Sequence, residues 1–584
     1  MKISEALKII QGAPEEGNPF PIAVACGFTP LHLETFLCAH LQLALPGRKV
    51  TSLTGLYGDL ANTIEGFAGQ QIRNLVVAIE WGDLDPRLSC RASARWNQNT
   101  ISDVLNSVRS ALARLGKSFG LFPAGAKVVV SMPTLPLPPF FHTPSWQISE
   151  PESCLDQMVS DFRTQLLRSG LLVANPACLI EKFAPEERYS FKSDLLFGLP
   201  YSVTFSDALA SVLARLLCPV SPKKGIITDL DDTLWSGLVG EVGAEGISWD
   251  VPNHSGLHGL YQSLLASLSS SGILVGVASK NDSEIVNKAF ERSDILLQKE
   301  YVFPIETHWG PKSQSVSRIL RAWNVGADSV IFVDDNPMEL AEVAAAHPGV
   351  ECVQFVQNDY PAGYAMLGRI RDLCGKQKLS SEDYIRLESI RQSASLDRTG
   401  DDSTPEQFLQ QANAVVRFDN HNAAADSRAL ELVNKTNQFN LNGIRYTESD
   451  WSAELSRLDT QSLLVSYSDR FGLLGKIAVM MGRMDGNTFH VRVWVMSCRA
   501  FSRRIEYLCL KTCFERYRID QIKMDFVATP KNGPFQEFLT HVLGGKPEGP
   551  TVITRERFEN VCPELYHAVH DGENRAPLPA MTRA

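Results

Sequence analysis

Asp229, Asp231 and Asp232 crowd the end of a short apolar run in "GIITDLDDTLWSGLVG", Gly225 to Gly240. Ionised carboxylates this close repel one another and resist desolvation, so a cation must share their site. Two further strand-like runs end in polar groups of complementary chemistry. "GVASKND" brings Ser279, Lys280 and Asn281, and "FVDDNPME" brings Asp334 and Asp335. Lys312, in "HWGPKSQSV" at an expected helix start, supplies a fixed positive charge. In an open parallel sheet, ligands bind beyond the carboxyl ends of the strands, so these segments converge if their strands are neighbours. Hard oxygen ligands of this kind suit Mg2+ together with a phosphoryl group that completes its shell. Asp232 is read as a turn or helix-start residue rather than a ligand.

The elements that must position these groups follow from the apolar pattern. The 584 residues exceed one compact core, and three blocks are expected. Residues 1–220 alternate strand-like runs ("IAVACGF", "NLVVAIEW", "AKVVVSMP") with helical patterns, which implies a parallel sheet flanked by helices. Residues 221–375 alternate in the same way. A polar run, "SASLDRTGDDSTPEQ", marks a hinge before residues 405–584, where helices precede antiparallel-type strands such as "TFHVRVWVMS". The fold class is therefore α/β and multidomain. Between Thr233 and Ile273 there is room for a loop and one helix but no separate cap domain.

Composition excludes several classes. A net charge of -10 argues against a nucleic-acid binder. No apolar run approaches the roughly 18–20 residues needed to span a bilayer. The first residues lack a signal peptide's apolar stretch, so a cytoplasmic protein is expected. The 12 cysteines form no CxxC pair, and Cys509 and Cys513 lack a histidine to complete a zinc set.

The series DxDxT, strand-end Ser, Lys and strand-end DD resembles the motifs of the haloacid dehalogenase superfamily. That resemblance implies Asp229 as nucleophile and Asp231 as the acid that protonates the leaving group and then activates water. It implies Thr233, Ser279 and Lys312 as phosphate-binding residues. It gives Mg2+ to Asp229, Asp334 and the backbone carbonyl of Asp231, with Asp335 assisting. Over residues 221 to about 540 the segments "HWGPKSQSV", "LVNKTNQFNLNG", "SDRFGLLG" and "VMSCRAFSRRIE" are similar to the FkbH-like proteins, also called the HAD-IIIC group. The resemblance implies an SGNH-hydrolase-like, flavodoxin-type domain over 1–220, a Rossmann-like HAD domain with a minimal cap over 221–375, and a GNAT-like α+β domain over 405–584. It implies dephosphorylation of an acyl phosphate, 1,3-bisphosphoglycerate, and transfer of its glyceryl unit to the phosphopantetheine arm of an acyl carrier protein in polyketide-type biosynthesis. A phosphatase of small-molecule or carrier-bound phosphates without acyl transfer is the alternative, and a non-catalytic assembly module is a third reading.

Acyl transfer needs a thiol. Cys498 precedes Arg499, Arg503 and Arg504, and neighbouring cations raise a thiol's thiolate fraction. Cys498 is thus the candidate thioester site, or else a buried strand-end cysteine; Cys26 and Cys509 lack this charge. Asn437 and Gln438 either bind an amide of the substrate or cap a helix end. Asp469 and Arg470 flank the thiol or form a turn pair, and His490 is structural. "RAFSRRIE" lacks the glycine that lets a helix start approach a pyrophosphate closely, which weakens free acetyl-CoA as a substrate. Thr29 stands where the SGNH resemblance places a serine, so the first domain is expected to be non-hydrolytic.

Overall fold

The computed structural model describes residues 1–571 apart from 15–17, 56–57, 71, 92–97, 124, 380–382, 384–385, 388–389, 392–408, 411, 420–425, 458, 471, 498–499 and 502. The expected hinge "SASLDRTGDDSTPEQ" lies outside the described residues. Two compact units are present, Met1–Val220 and Ser221–Ala584.

The first unit holds β1 (Asn18–Ala25), β2 (Arg48–Thr54), β3 (Asn74–Ala78), β4 (Lys127–Ser131) and β5 (Leu172–Val173) in the order β2-β1-β3-β4-β5. Every pair is parallel, and the order is that of flavodoxin-like sheets. Ile22 and Val24 face one apolar cluster while Ala23 and Ala25 face another, because helices cover both sides.

The second unit contains two sheets. The first comprises β6 (Gly225–Thr228), β7 (Leu274–Ser279), β8 (Val302–Thr307), β9 (Val330–Asp334) and β10 (Glu351–Gln354), ordered β10-β9-β6-β7-β8 and parallel throughout. The α/β, Rossmann-like expectation is met here. Both β6 and β7 are buried along their whole length, which explains their unbroken apolar sequences. Ile226 packs to one side and Ile227 to the other. Between β6 and β7 lie two isolated bridges, Asp231 with Trp235 and Ser236 with Ser248, the short helix Val239–Val242 and the helix Gly256–Ser270.

The helix Lys312–Trp323 docks on this sheet through Val316, Ile319 and its last residue, Trp323. Trp323 is buried, and its indole N–H donates to the carbonyl of Phe303 at 2.6 Å. Two strand glycines make room for the ring. A Cβ on Gly225 would stand 2.5 Å from it and one on Gly276 2.8 Å. Removing such an indole costs about 3–5 kcal/mol. With Trp323 fixed, the helix delivers Lys312, at its opposite end, to the carboxyl ends of the strands.

The second sheet runs β17 (Thr551–Thr554), β16 (Gln521–Met524), β15 (Thr488–Met496), β14 (Gly472–Asp485), β13 (Thr460–Asp469), β11 (Val415–Asp419) and β18 (Ala568–Asp571), with β12 (Phe439–Asn440) against β15. The sequence suggested antiparallel pairing here. The sheet is mixed, since β15 pairs β16 and β11 pairs β18 in parallel. Terminal strand β18 closes on β11 from a distant part of the chain, which local pattern cannot show.

Candidate active site

The order of the β6–β10 sheet reverses between β6 and β9, and the acidic residues stand beyond those two strand ends. Asp229 follows β6 and Asp334 closes β9. Lys312 reaches between them, its ammonium 2.9 Å from Asp229 Oδ2 and 2.6 Å from Asp334 Oδ2. All three are buried. Asp335 lies alongside, and one carboxylate oxygen from each of Asp229, Asp334 and Asp335 falls within 4.8 Å of the others. Among the described residues this is the one set of three acidic, histidine or cysteine side chains able to hold a metal ion.

Burial raises the Asp229 carboxyl to about 7, with Asp334 adding to the rise and Lys312 opposing it. Burial also raises Asp334, and burial together with Asp232 raises Asp335. Burial works against the Lys312 charge, but the two carboxylates outweigh it and hold the ammonium above its ordinary range. One lysine therefore does not neutralise the site. Asp229 Oδ1 is buried with no hydrogen-bond partner. A buried, unpartnered oxygen on a residue clustered with two more carboxylates is what a hard divalent cation would satisfy, so the residues fit Mg2+.

Asp231 is held apart from this set. Its Oδ1 accepts from the indole of Trp235 at 2.9 Å and from the amide of Val239 at 3.1 Å. Its Oδ2 accepts from the side-chain amide of Asn281 at 3.0 Å. Asn281 also donates to Ser279 Oγ at 3.1 Å, so one buried amide spans β7's hydroxyl and the carboxylate. Sequence reading placed Asn281 at the rim without a role. Its signal was the polar residue two places past a buried strand. Lys280, beside it, turns away to pair with Glu339 at 2.6 Å.

Two placements sharpen the sequence reading. Asp232 takes up a left-handed conformation (φ 53) and accepts from the Gly237 amide at 2.9 Å, as a turn residue does. The Thr233 hydroxyl, assigned to phosphate from the sequence, is fully buried and faces Asp335. It accepts from the Asp335 amide at 3.0 Å and lies 3.3 Å from Asp335 Oδ1. Thr233 thus ties the loop after β6 to the end of β9.

In the last sheet, Cys498 and Arg499 lie outside the described residues. Cys509 and Cys513 are buried in the core, and burial pushes both thiols far up. Cys26 is likewise raised by burial and by Asp83, and its thiol donates to the Phe28 carbonyl at 3.2 Å. None of the three is a ready nucleophile. Thr29 donates its hydroxyl to the Phe197 carbonyl at 3.1 Å. His490 lies 2.7 Å from Asp525 on the adjoining segment, a structural contact. Asp469 ends β13 at 3.8 Å from Arg503.

The asparagine-rich segment has an architectural task. β15 and β16 pair only from Thr488 to Val491 and then part. Residues 439–442 fill the opening: Leu441 N–H donates to the Trp494 carbonyl at 3.0 Å, and Leu441 carbonyl accepts from Val527 at 3.1 Å. Asn442 bridges both sides, donating to Arg492 at 3.0 Å and Asp525 at 3.2 Å. Backbone groups that an extended ligand would otherwise pair with are taken by the chain itself. Asn437 accepts from Arg445 within the same segment.

No protein-family model matches the chain, and no curated protein matches its sequence. Among solved structures, the N-terminal part of the protein BF1531 from Bacteroides fragilis, containing a phosphatase domain complexed with Mg, superposes with a TM-score of 0.52 at 17% identity, covering 65% of this chain and 100% of that one. An uncharacterized protein from Corynebacterium glutamicum gives a TM-score of 0.19 at 13% identity over 26% of this chain and 98% of its own, too low to carry an argument. Similarity to the BF1531 structure shows that this chain shares its fold.

Proposed function

We propose that the chain is a Mg2+-dependent phosphoryl-transfer enzyme of the haloacid dehalogenase type, acting as a phosphatase. The observation that carries this reading is the Asp229–Asp334–Asp335 cluster, in which buried Asp229 and Asp334 share the Lys312 ammonium and one Asp229 oxygen is unpartnered. A solved protein of the same fold has a phosphatase domain and was crystallised with Mg, which supports it.

Mg2+ bound by Asp229, Asp334 and Asp335, with the backbone carbonyl of Asp231, would offset phosphate charge and let the three carboxylates stay ionised. Asp229 attacks phosphorus, and the bond to the leaving oxygen breaks as Asp231 gives that oxygen a proton. Water then attacks the aspartyl phosphate and passes its proton to Asp231, releasing inorganic phosphate and restoring Asp229. Lys312 and Ser279 hold phosphate oxygens, and Lys312 stabilises charge gathered on them. Trp235, Val239 and Asn281 aim Asp231 at the leaving group.

The finer reading keeps the family resemblance. The N-terminal unit is SGNH-like and non-hydrolytic, the last domain is GNAT-like, and the substrate is an acyl phosphate whose acyl group passes through Cys498 to a carrier protein. The small insertion between β6 and β7 supports it, since it leaves room at the strand ends for a tethered substrate. The experiment measures phosphate release from a panel of phosphomonoesters and acyl phosphates with Mg2+ or EDTA. Asp229→Asn abolishes release in the reading proposed, and normal release by that variant refutes it. A hydroxylamine-labile adduct lost in Cys498→Ala marks the acyl-transfer reading, and its absence leaves the plain phosphatase.

A further inference from the structure

His308 belongs to the turn "HWGPK" between β8 and the helix Lys312–Trp323, and three contacts make it the brace of that turn. Its backbone amide donates to the Ser279 carbonyl at 3.1 Å, hanging the turn from the end of β7. Its ring Nδ1 accepts from the Gly310 amide at 2.9 Å. Its Nε2 stands 2.6 Å from the Ser315 hydroxyl, one turn into the helix. An amide N–H only donates, so Nδ1 is the acceptor and Nε2 carries the proton toward Ser315. The fit is close, since a Cβ on Gly310 would stand 3.0 Å from Nδ1.

The helix has need of a brace. It begins at Lys312 behind Pro311, with no side-chain cap. Glu342 takes the Ser313 amide at 3.1 Å from one side, and the imidazole supports the turn from the other. Lys312 must meet two carboxylates at once, and a shift of about 1 Å in such a group costs about a hundredfold in rate.

We infer that His308 is a positioning residue for phosphoryl transfer, fixing the turn that carries Lys312 to the strand end that carries Ser279. The inference rests on the proposed function, which gives those two residues to phosphate. His308 acts through Lys312, so the two residues share one effect.

A double-mutant cycle on the full chain tests this, reading calorimetric affinity for tungstate, a phosphate analogue, in the presence of Mg2+. His308→Ala and Lys312→Ala each weaken binding about tenfold, and the double variant is no weaker than Lys312→Ala alone. His308→Asn, whose Oδ1 can still accept from Gly310, keeps kcat within about threefold of the parent while His308→Ala does not. Should His308→Ala fail to fold, Gly310→Ala, which presses a methyl on the ring, replaces it in the same cycle. Additive losses, or equal kcat in the Ala and Asn variants, overturn the inference. If the parent neither binds tungstate nor releases phosphate, the proposed function is what fails. If the parent does both and the losses are additive, the positioning role alone fails.

Discussion

The Lys312 ammonium stands 2.6 Å from Asp334 at the end of β9, although it starts a helix that leaves β8. The same ammonium meets Asp229 at 2.9 Å, so one buried cation faces carboxylates from the two strands that flank the reversal of sheet order. One ammonium leaves an excess of negative charge among these carboxylates, which a divalent cation would offset.

Removing that cation leaves two buried carboxylates against each other. In Lys312→Met the metal-free protein loses about 3–5 kcal/mol of stability, and Mg2+ restores part of it. Urea denaturation in EDTA and in Mg2+ measures both. Equal stability of variant and parent in EDTA would contradict the pairing.

Mg2+ affinity depends on pH with a defined sign. Burial raises the metal-free Asp229 carboxyl to about 7, so below that pH a proton occupies a group the metal needs. Binding therefore releases protons, and affinity rises from pH 6 to 8 by up to about tenfold per unit for each proton displaced. Titration calorimetry in buffers of different ionisation enthalpy reads the released protons directly. Affinity independent of pH over this range would contradict the shift.

Thr233→Val separates a metal-side role from a phosphate contact. The hydroxyl's bonds go to Asp335, so Mg2+ affinity falls about three- to tenfold while tungstate affinity measured at saturating Mg2+ barely changes. The opposite pattern would make Thr233 a phosphate contact.

Asn281→Ala frees one oxygen of Asp231 and lets the acid drift. Phosphate release slows about ten- to hundredfold for alkyl phosphates, whose leaving oxygen needs a proton. Aryl phosphates, which leave without one, slow much less. Steady-state rates on a matched pair of substrates show the difference, and equal slowing would remove Asn281 from the acid's support.

Much of this site was legible because its charged residues sit in short motifs at strand ends. Buried strands leave nowhere else for aspartates to go, and the apolar runs before Asp229, Ser279 and Asp334 announce those ends. The bonds between the motifs were not legible. Thr233 finds Asp335 across 102 residues and Asn281 finds Asp231 across 50, distances that only the sheet order closes. His308 gave no sequence signal, because its partners are two backbone groups and a serine. The task of Asn442 in "NKTNQFNLNG" was equally hidden, since the carbonyls it donates to, those of Arg492 and Asp525, lie 50 and 83 residues away. The parallel pairing of β11 with β18 escaped for a similar reason, since the two strands lie far apart in the chain.

Trapping the covalent intermediate tests the account most directly. The protein is turned over with a phosphorylated substrate in Mg2+, quenched in acid, and mapped by peptide mass spectrometry. The account predicts a hydroxylamine-labile phosphate on Asp229, absent in EDTA and in Asp229→Asn. Phosphate carried on another residue, or turnover that Asp229→Asn leaves intact, would contradict it.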